Sequence, residues 1–201
     1  MNKSLVTGLH SQVARRLFGL RFEELAHAPV WHEDVRAFAV KDDSGAPVGL
    51  FLGDYFARGS KRSGAWMSDL QSQYRLGEGS KPIIYNVMNF AKAPEGEQTL
   101  LSFDDARTLF HEFGHALHGM LSNVTWPSVS GTSVSRDFVE LPSQLYEHWL
   151  TAPEVLGEHA CHYKTGEAMP KTLIDKLTAA RTFNAGFQTI EFTASAIVDM
   201  D

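Results

Sequence analysis

The chain has 201 residues and a formal net charge of −6, and 43% of its residues are apolar. The acidic balance offers no basic surface for nucleic acid, and no apolar run approaches the roughly 20 residues that a membrane span needs. We therefore expect a globular protein that binds neither nucleic acid nor a membrane. Nothing in the composition indicates an oligomeric state.

The first ten residues lack the apolar core of a signal peptide, and the single Cys161 cannot form a disulfide within the chain. Both features suit a reducing compartment, so a cytoplasmic location is expected. Cys161 lies in a His-Ala-Cys-His segment at residues 159–162, whose spacing fits no familiar zinc pattern. A packed or surface helix is the prediction there.

The first half of the chain predicts one helix followed by a small sheet. Helical spacing covers residues 4–17, and two strands are indicated at residues 35–40 and 48–55, joined by a turn at residues 42–45. Residues 81–90 form a third strand candidate rich in β-branched and aromatic side chains.

From Ser102 onward the pattern is helical, with breaks near Pro127, near Pro153 and at residues 166–170. The fold class predicted is therefore mainly α with a small β-sheet, an α+β arrangement. The sheet could hold an extended peptide along an edge strand, or it could only support the helix that follows, and the sequence leaves both possibilities open.

The helix after Ser102 has a defined start and a broad apolar face. Ser102 and Asp105 have the spacing of a capping box, which satisfies the free amides of a helix start. Apolar residues then recur at helical spacing. They are Phe103, Ala106, Leu109, Phe110, Phe113, Ala116, Leu117, Met120 and Leu121.

Within this helix the sequence His-Glu-Phe-Gly-His occupies residues 111–115. Two histidines four residues apart lie one turn above each other on one helix face, so His111 and His115 can both reach one zinc ion. Glu112 is rotated about 100° around the helix. It is too far round to be an equal ligand, but it can approach a water on the metal and act as a general base for hydrolysis.

A third ligand is needed, and the helix itself does not supply it. One zincin pattern would place a histidine at position 121, which is Leu121 here. His118 lies about 10 Å along the helix axis from His111, too far for the three histidines to share an ion with bonds near 2 Å. His118 is more consistent with lining a cleft or packing beneath it.

A carboxylate from the segment at residues 136–149 is the remaining source. An apolar stripe (Phe138, Leu141, Leu145, Trp149) and a polar stripe (Glu140, Ser143, Gln144, Glu147) share this predicted helix. The polar stripe could be an ordinary solvated face. Alternatively, the loop at residues 128–135 could bring it across the zinc helix, and Glu140 and Glu147 are then rival ligands.

At this point the sequence resembles the thimet oligopeptidase and peptidyl-dipeptidase family of zinc metallopeptidases, and within it the peptidyl-dipeptidase Dcp branch. The resemblance is carried by residues 108–119, 130–132, 136–144 and 147–149 and extends over nearly the whole chain, through residues 64–67 and 184–187. It implies a zincin-like core.

The resemblance also implies one zinc per chain, with His111, His115 and Glu140 as ligands and Glu112 as catalytic base. Glu147 is a candidate for orienting a ligand histidine, or it is simply packed or solvated. Short peptides are the implied substrates, with release of C-terminal dipeptides. A zinc oligopeptidase that cleaves internally and an inactive zinc-binding fragment are the alternatives.

One difference from the family affects the expected activity. Family members are several times longer and carry a glycine-rich stretch with Tyr and His, downstream of the third ligand, that has no counterpart here. The apolar face at residues 183–198 also has no stop signal. We therefore expect residues 1–201 to be a partial catalytic domain, truncated at both ends and weakly active or inactive alone.

Overall fold

The computed structural model describes residues 3–94, 96–97 and 99–200. The elements follow a simple order along the chain: one helix, five strands, then helices. They are α1 (Lys3–Phe18), β1 (Arg21–Glu24), β2 (Arg36–Lys41), β3 (Pro47–Phe56), β4 (Trp66–Gln71), β5 (Ile83–Phe90), α2 (Phe103–Met120), α3 (Arg136–Val139), α4 (Leu141–Glu147), α5 (Pro153–His159), α6 (Lys171–Thr182) and α7 (Ala185–Met200). Short 3₁₀ turns occupy Pro127–Val129 and His148–Thr151. The predicted α+β class, with helices dominant and one small sheet, is confirmed.

The chain divides into two compact units, one ending at Val155 and the other beginning at Leu156. The first unit contains the sheet and helices α1 to α4. The second contains α6 and α7, in which none of the described side chains is buried. Phe187, Ile190 and Val198 on α7 are 70%, 70% and 77% exposed.

The sheet has five strands in the order β1-β2-β3-β5-β4. Strands β3 and β5 are parallel, with Gly53 opposite Asn86, and the other pairs are antiparallel. The sequence prediction found β2, β3 and β5 but missed both edge strands. Strand β1 is four residues long with one apolar side chain, and β4 (WMSDLQ) has no strict alternation of apolar and polar residues, so only pairing with a neighbour identifies them as strands.

The main core lies between one face of the sheet and helix α2. Phe51 and Ile84 from the sheet pack with Phe110 and Phe113 from the helix, and all four are fully buried. Burial of this apolar surface is the main force that fixes α2 on the sheet. The helix cannot slide or rotate without exposing it, which matters for the side chains that α2 presents.

The segment at residues 136–149 differs from the prediction of one helix packed by its apolar stripe. It breaks at Glu140 into α3 and α4, and the side chains of the apolar stripe are 40–59% exposed. Ser143 and Tyr146 are buried instead. The cause is a close approach of α4 to α2, since a Cβ added at Gly114 would lie 2.6 Å from the Cα of Ser143.

The His-Ala-Cys-His segment is also not helical throughout. Helix α5 ends at His159, and Cys161 is exposed in an isolated bridge with Ala168. Its histidines and cysteine belong to no group in the described residues that could hold a metal. Among the helices described, none is both long and apolar enough to cross a membrane.

Candidate metal centre

Helix α2 begins as its sequence predicts. The Ser102 side chain accepts a hydrogen bond from the backbone amide of Asp105 at 3.0 Å, and the Asp105 carboxylate accepts one from the Ser102 amide at 3.0 Å. This reciprocal cap fixes the register of the helix. His111 and His115 therefore lie in its regular interior, one turn apart.

Three side chains converge on one point beside α2. The Nε2 atoms of His111 and His115 each lie 3.2 Å from Oε2 of Glu140. The two imidazole rings are 4.9 Å apart and nearly perpendicular, at 85°. These three residues are the group among the described residues whose ligand atoms could hold a metal ion.

The spacing of these atoms fits a zinc ion. In a tetrahedral site with bonds of about 2.0–2.1 Å, neighbouring ligand atoms lie roughly 3.3 Å apart. The 3.2 Å separations between the carboxylate oxygen and the two histidine nitrogens agree with this. Two imidazoles and one carboxylate are also a ligand set that zinc enzymes use when a position is kept open for water.

Glu140 reaches the histidines because it sits at the junction of α3 and α4. Its backbone is helical, with φ −85° and ψ −10°, and the following residues turn into α4 at Pro142. The hydroxyl of Ser143 lies 2.9 Å from both the backbone oxygen and Oε2 of Glu140. Ser143 is fully buried, so it holds the carboxylate from a fixed position.

Glu147, the rival ligand in the sequence, is in a different place. Its Oε1 lies 2.7 Å from Nδ1 of His111, the ring nitrogen that does not face Glu140. A carboxylate on that nitrogen fixes the ring orientation and the tautomer that leaves Nε2 free to bind a metal. Glu140 therefore contacts Nε2 of His111, and Glu147 contacts Nδ1 of the same ring.

His115 is mostly buried, and its Nδ1 has no hydrogen-bond partner among the described residues. Burial lowers the pKa of His115, although the charge of Glu140 opposes the effect. For Glu140, burial raises the pKa, but the hydrogen bond from Ser143 and the charges of both histidines outweigh it, so its pKa is lowered. A neutral imidazole and an ionised carboxylate are the forms that bind metals.

Glu112 lies next to this group but outside it. Its side chain is 7% exposed, and it is absent from the residues that could ligate the ion. Burial raises the pKa of Glu112, the positive charge of a protonated His111 would lower it, and Glu140 raises it further. The backbone of Met67 on edge strand β4 lies near this carboxyl group and acts in the opposite direction, lowering its pKa.

His118 lies outside the metal group, as its distance along the helix predicted. It lines an apolar groove of about 380 Å³ with Leu145 and Trp149, and its ring meets the edge of Phe138 at 6.1 Å. Its Nδ1 is buried without a partner in the described part of the chain. Burial lowers the pKa of this histidine.

Two contributors to the site were not assigned by the sequence analysis. Ser143 stood in the polar stripe without a role, and the spacing of three residues from Glu140 is the signal that could have identified it. Met67 acts through its backbone, which leaves no signature in the side-chain pattern. Its role appears only when β4 is seen against α2.

Comparison with known proteins places the chain in a family. The family model for peptidase family M3 matches residues 2–201. This chain belongs to peptidase family M3. Among curated relatives, the dipeptidyl carboxypeptidase of Escherichia coli is 46% identical over 187 residues, which cover 93% of this chain and 27% of that protein.

Other M3 relatives carry a different name. Oligopeptidase A of Escherichia coli is 44% identical over 183 residues, covering 90% of this chain and 27% of the relative. The organellar oligopeptidase A of Arabidopsis thaliana is 40% identical over 205 residues, covering 98% and 26%. The chain thus spans about a quarter of the length of the relatives it matches.

Proposed function

We propose that this chain carries the zinc site and catalytic base of a metallopeptidase with a zincin-like core. One zinc ion would be held by His111, His115 and Glu140. The observation that carries the proposal is the convergence of these ligand atoms at 3.2 Å beside a buried glutamate on the same helix. Membership of family M3 supports a peptide as the substrate.

A zinc ion in this position supplies a Lewis acid that polarises a carbonyl and lowers the pKa of a coordinated water. The residues of the chain do the rest. Glu112 accepts a proton from the attacking water and passes it to the leaving amine. Glu147 holds the ring of His111, and Ser143 holds the carboxylate of Glu140.

Strand β4 provides a surface on which an extended peptide can be bound. It is an edge strand, so one side of its backbone is not paired within the described sheet. Met67 lies on this strand, and its backbone lies near the carboxyl group of Glu112. A peptide that added to β4 through main-chain hydrogen bonds would bring its carbonyl groups to the base whatever its side chains, which favours substrate docking over a purely supporting role for the sheet.

The specificity that we propose is the release of C-terminal dipeptides from short peptides. The name of the relative at 46% identity supports it. The name of the relative at 44% identity supports an oligopeptidase that cleaves internally, which is the second candidate. Peptides with a blocked N-terminus and either a free or an amidated C-terminus separate the two, with the products identified by mass. Release of dipeptides only from the free C-terminus is expected, and cleavage of both peptides at internal bonds would favour the oligopeptidase.

The metal site is tested by zinc content. After dialysis against a modest concentration of chelator, the wild-type protein should retain about one zinc per chain, and Glu140→Ala should lose it. Glu78→Ala, an exposed glutamate on a turn, is the matched control and should retain the metal. Full zinc occupancy in Glu140→Ala would remove Glu140 from the site.

We also propose that residues 1–201 form only part of the catalytic domain, because this chain spans 27% of its relative. The peptide assay is therefore run on this chain and on a full-length relative. Zinc binding without hydrolysis by residues 1–201 is expected. Turnover equal to the full-length enzyme would show that this segment suffices for catalysis.

A further inference from the structure

Two polar side chains are buried beneath α2 and play no part in the proposed reaction. Asn86 on β5 is fully buried, and neither its amide nitrogen nor its amide oxygen has a hydrogen-bond partner among the described residues. Tyr55 on β3 is 2% exposed, and its hydroxyl also has no partner in that part of the chain. Buried polar groups in proteins are almost always hydrogen-bonded, either to protein or to ordered water.

The backbone brings these groups to the same place. The ring of Tyr55 folds back over Gly53, since a Cβ added at Gly53 would lie 2.3 Å from the Tyr55 hydroxyl oxygen. Gly53 is the direct partner of Asn86 in the parallel pair of β3 and β5. The hydroxyl therefore lies one strand away from Asn86.

Both side chains also point to the same face of the sheet. Side chains alternate along a strand, so Asn86 shares a face with Met88, two residues on. Met88 packs with Tyr55 and with Leu109 of α2 in one apolar cluster. The polar groups of Tyr55 and Asn86 therefore both lie between the sheet and the helix, on neighbouring strands.

Both groups therefore need a third partner. Neither side chain hydrogen-bonds to the other in the part of the chain that the structure describes. A water molecule can donate to one buried group and accept from another, and buried waters typically make two to four such bonds. We propose that the Tyr55 hydroxyl and the Asn86 carboxamide bind one buried water molecule between β3, β5 and helix α2.

A crystal structure at high resolution tests the site directly. A density peak within hydrogen-bonding distance of both the Tyr55 hydroxyl and the Asn86 carboxamide is expected. In Tyr55→Phe the peak should disappear, whereas Tyr85→Phe, on the opposite face of β5, should retain it. A direct hydrogen bond between Tyr55 and Asn86, no peak, or a peak that survives in Tyr55→Phe would overturn the proposal.

Equilibrium unfolding in urea tests the coupling of the two residues. Tyr55→Phe should lower the folding equilibrium constant about tenfold, because it leaves the water and the amide short of a partner. In an Asn86→Leu background, the same change should cost less than about threefold, since the site no longer holds the water. An equal loss of stability in both backgrounds would show that Tyr55 and Asn86 do not share a water molecule. If Asn86→Leu does not fold, Asn86→Ala, which also lacks a hydrogen-bonding side chain, replaces it.

Discussion

Two carboxylate clusters in this chain differ in how their negative charge is balanced. Asp54 is 1% exposed and accepts hydrogen bonds from Trp31 at 2.9 Å and from both guanidinium nitrogens of Arg58 at 2.7 Å. Lys61, also buried, lies 3.2 Å from the same carboxylate and donates to the backbone oxygens of Phe56 and Met88. Positive charges of the chain itself neutralise Asp54.

Among the described residues, no lysine or arginine pairs with the Glu140 cluster in this way. The ion pairs described for Glu140 and Glu147 are with His111 and His115, which carry charge only when protonated. One carboxylate and two imidazoles thus surround a point that receives no lysine or arginine in the described chain, and Glu147 contacts the other nitrogen of His111. The Asp54 carboxylate is balanced by cations of the chain, whereas the Glu140 carboxylate is left for the metal ion that we propose.

The largest effect is expected when the base beside the metal group is changed. Glu112→Gln keeps the size of the side chain and removes no proposed ligand, so zinc should be retained. Turnover on a short peptide should fall by about 10²–10⁴-fold, because an amide does not accept the proton of the water. The assay uses a complete enzyme that carries this segment, with zinc content measured on the same preparation. Near-normal kcat would exclude Glu112 as the base.

The self-neutralised cluster should respond to mutation with lost stability instead of lost metal. Asp54→Ala leaves the buried ammonium of Lys61 without its carboxylate partner, and the free energy of unfolding should fall by about 3–5 kcal/mol. Zinc content in the folded fraction should not change. Urea unfolding measures the free energy of unfolding, and elemental analysis measures the zinc content. Asp43→Ala, which removes an exposed carboxylate, is the control. Loss of zinc with unchanged stability would reverse the roles given to the two clusters.

The sequence predicted one of these clusters and not the other, for a physical reason. His111, Glu112 and His115 lie within one helical turn, so helix geometry alone brings them together. The α2 cap and strands β2, β3 and β5 were also predicted from local patterns. Asp54 and Trp31 are 23 residues apart, and only the sheet brings them into contact.

The same limit explains the errors around α4. Periodicity indicated an apolar stripe but not which face would be buried, and the close approach of Ser143 to Gly114 decided that. The choice between Glu140 and Glu147 also required a resemblance, since both lie on the same polar stripe. In the structure Glu140 lies 3.2 Å from Nε2 of both His111 and His115, whereas Glu147 lies 2.7 Å from Nδ1 of His111.

A smaller effect is expected from the carboxylate that orients His111. Glu147→Gln removes the charge that faces Nδ1 while it retains a hydrogen-bonding group of similar size. Zinc affinity should fall about 10–100-fold, the usual consequence of removing the partner of a ligand histidine. Titration with a competing chelator measures the change. Glu154→Gln, at the start of α5, is the control. If affinity were unchanged, the 2.7 Å contact would be no more than packing.

The smallest expected effect is a change with pH in the stability that Asp54 contributes to the fold. Burial alone raises the pKa of Asp54, but hydrogen bonds from Arg58, Trp31 and Lys61 outweigh it, so the pKa is lowered in the folded protein. The unfolded chain then binds the proton more readily than the folded one. This contribution to stability is complete above the unfolded pKa of about 3.9 and is lost as the pH falls through the lower, folded value.

Asp54→Asn has no carboxyl group to titrate at this position. Its deficit in the free energy of unfolding, relative to the wild type, should be constant from pH 7 to about 5 and should shrink below about pH 4. Urea unfolding with chelator present measures this without a contribution from metal loss in acid. Asp43→Asn removes an exposed carboxylate 3.5 Å from Arg21, and its deficit should be small at every pH. A deficit of Asp54→Asn that persisted unchanged to pH 2.5 would mean that Asp54 stabilises the fold through hydrogen bonds and shape, and not through its charge.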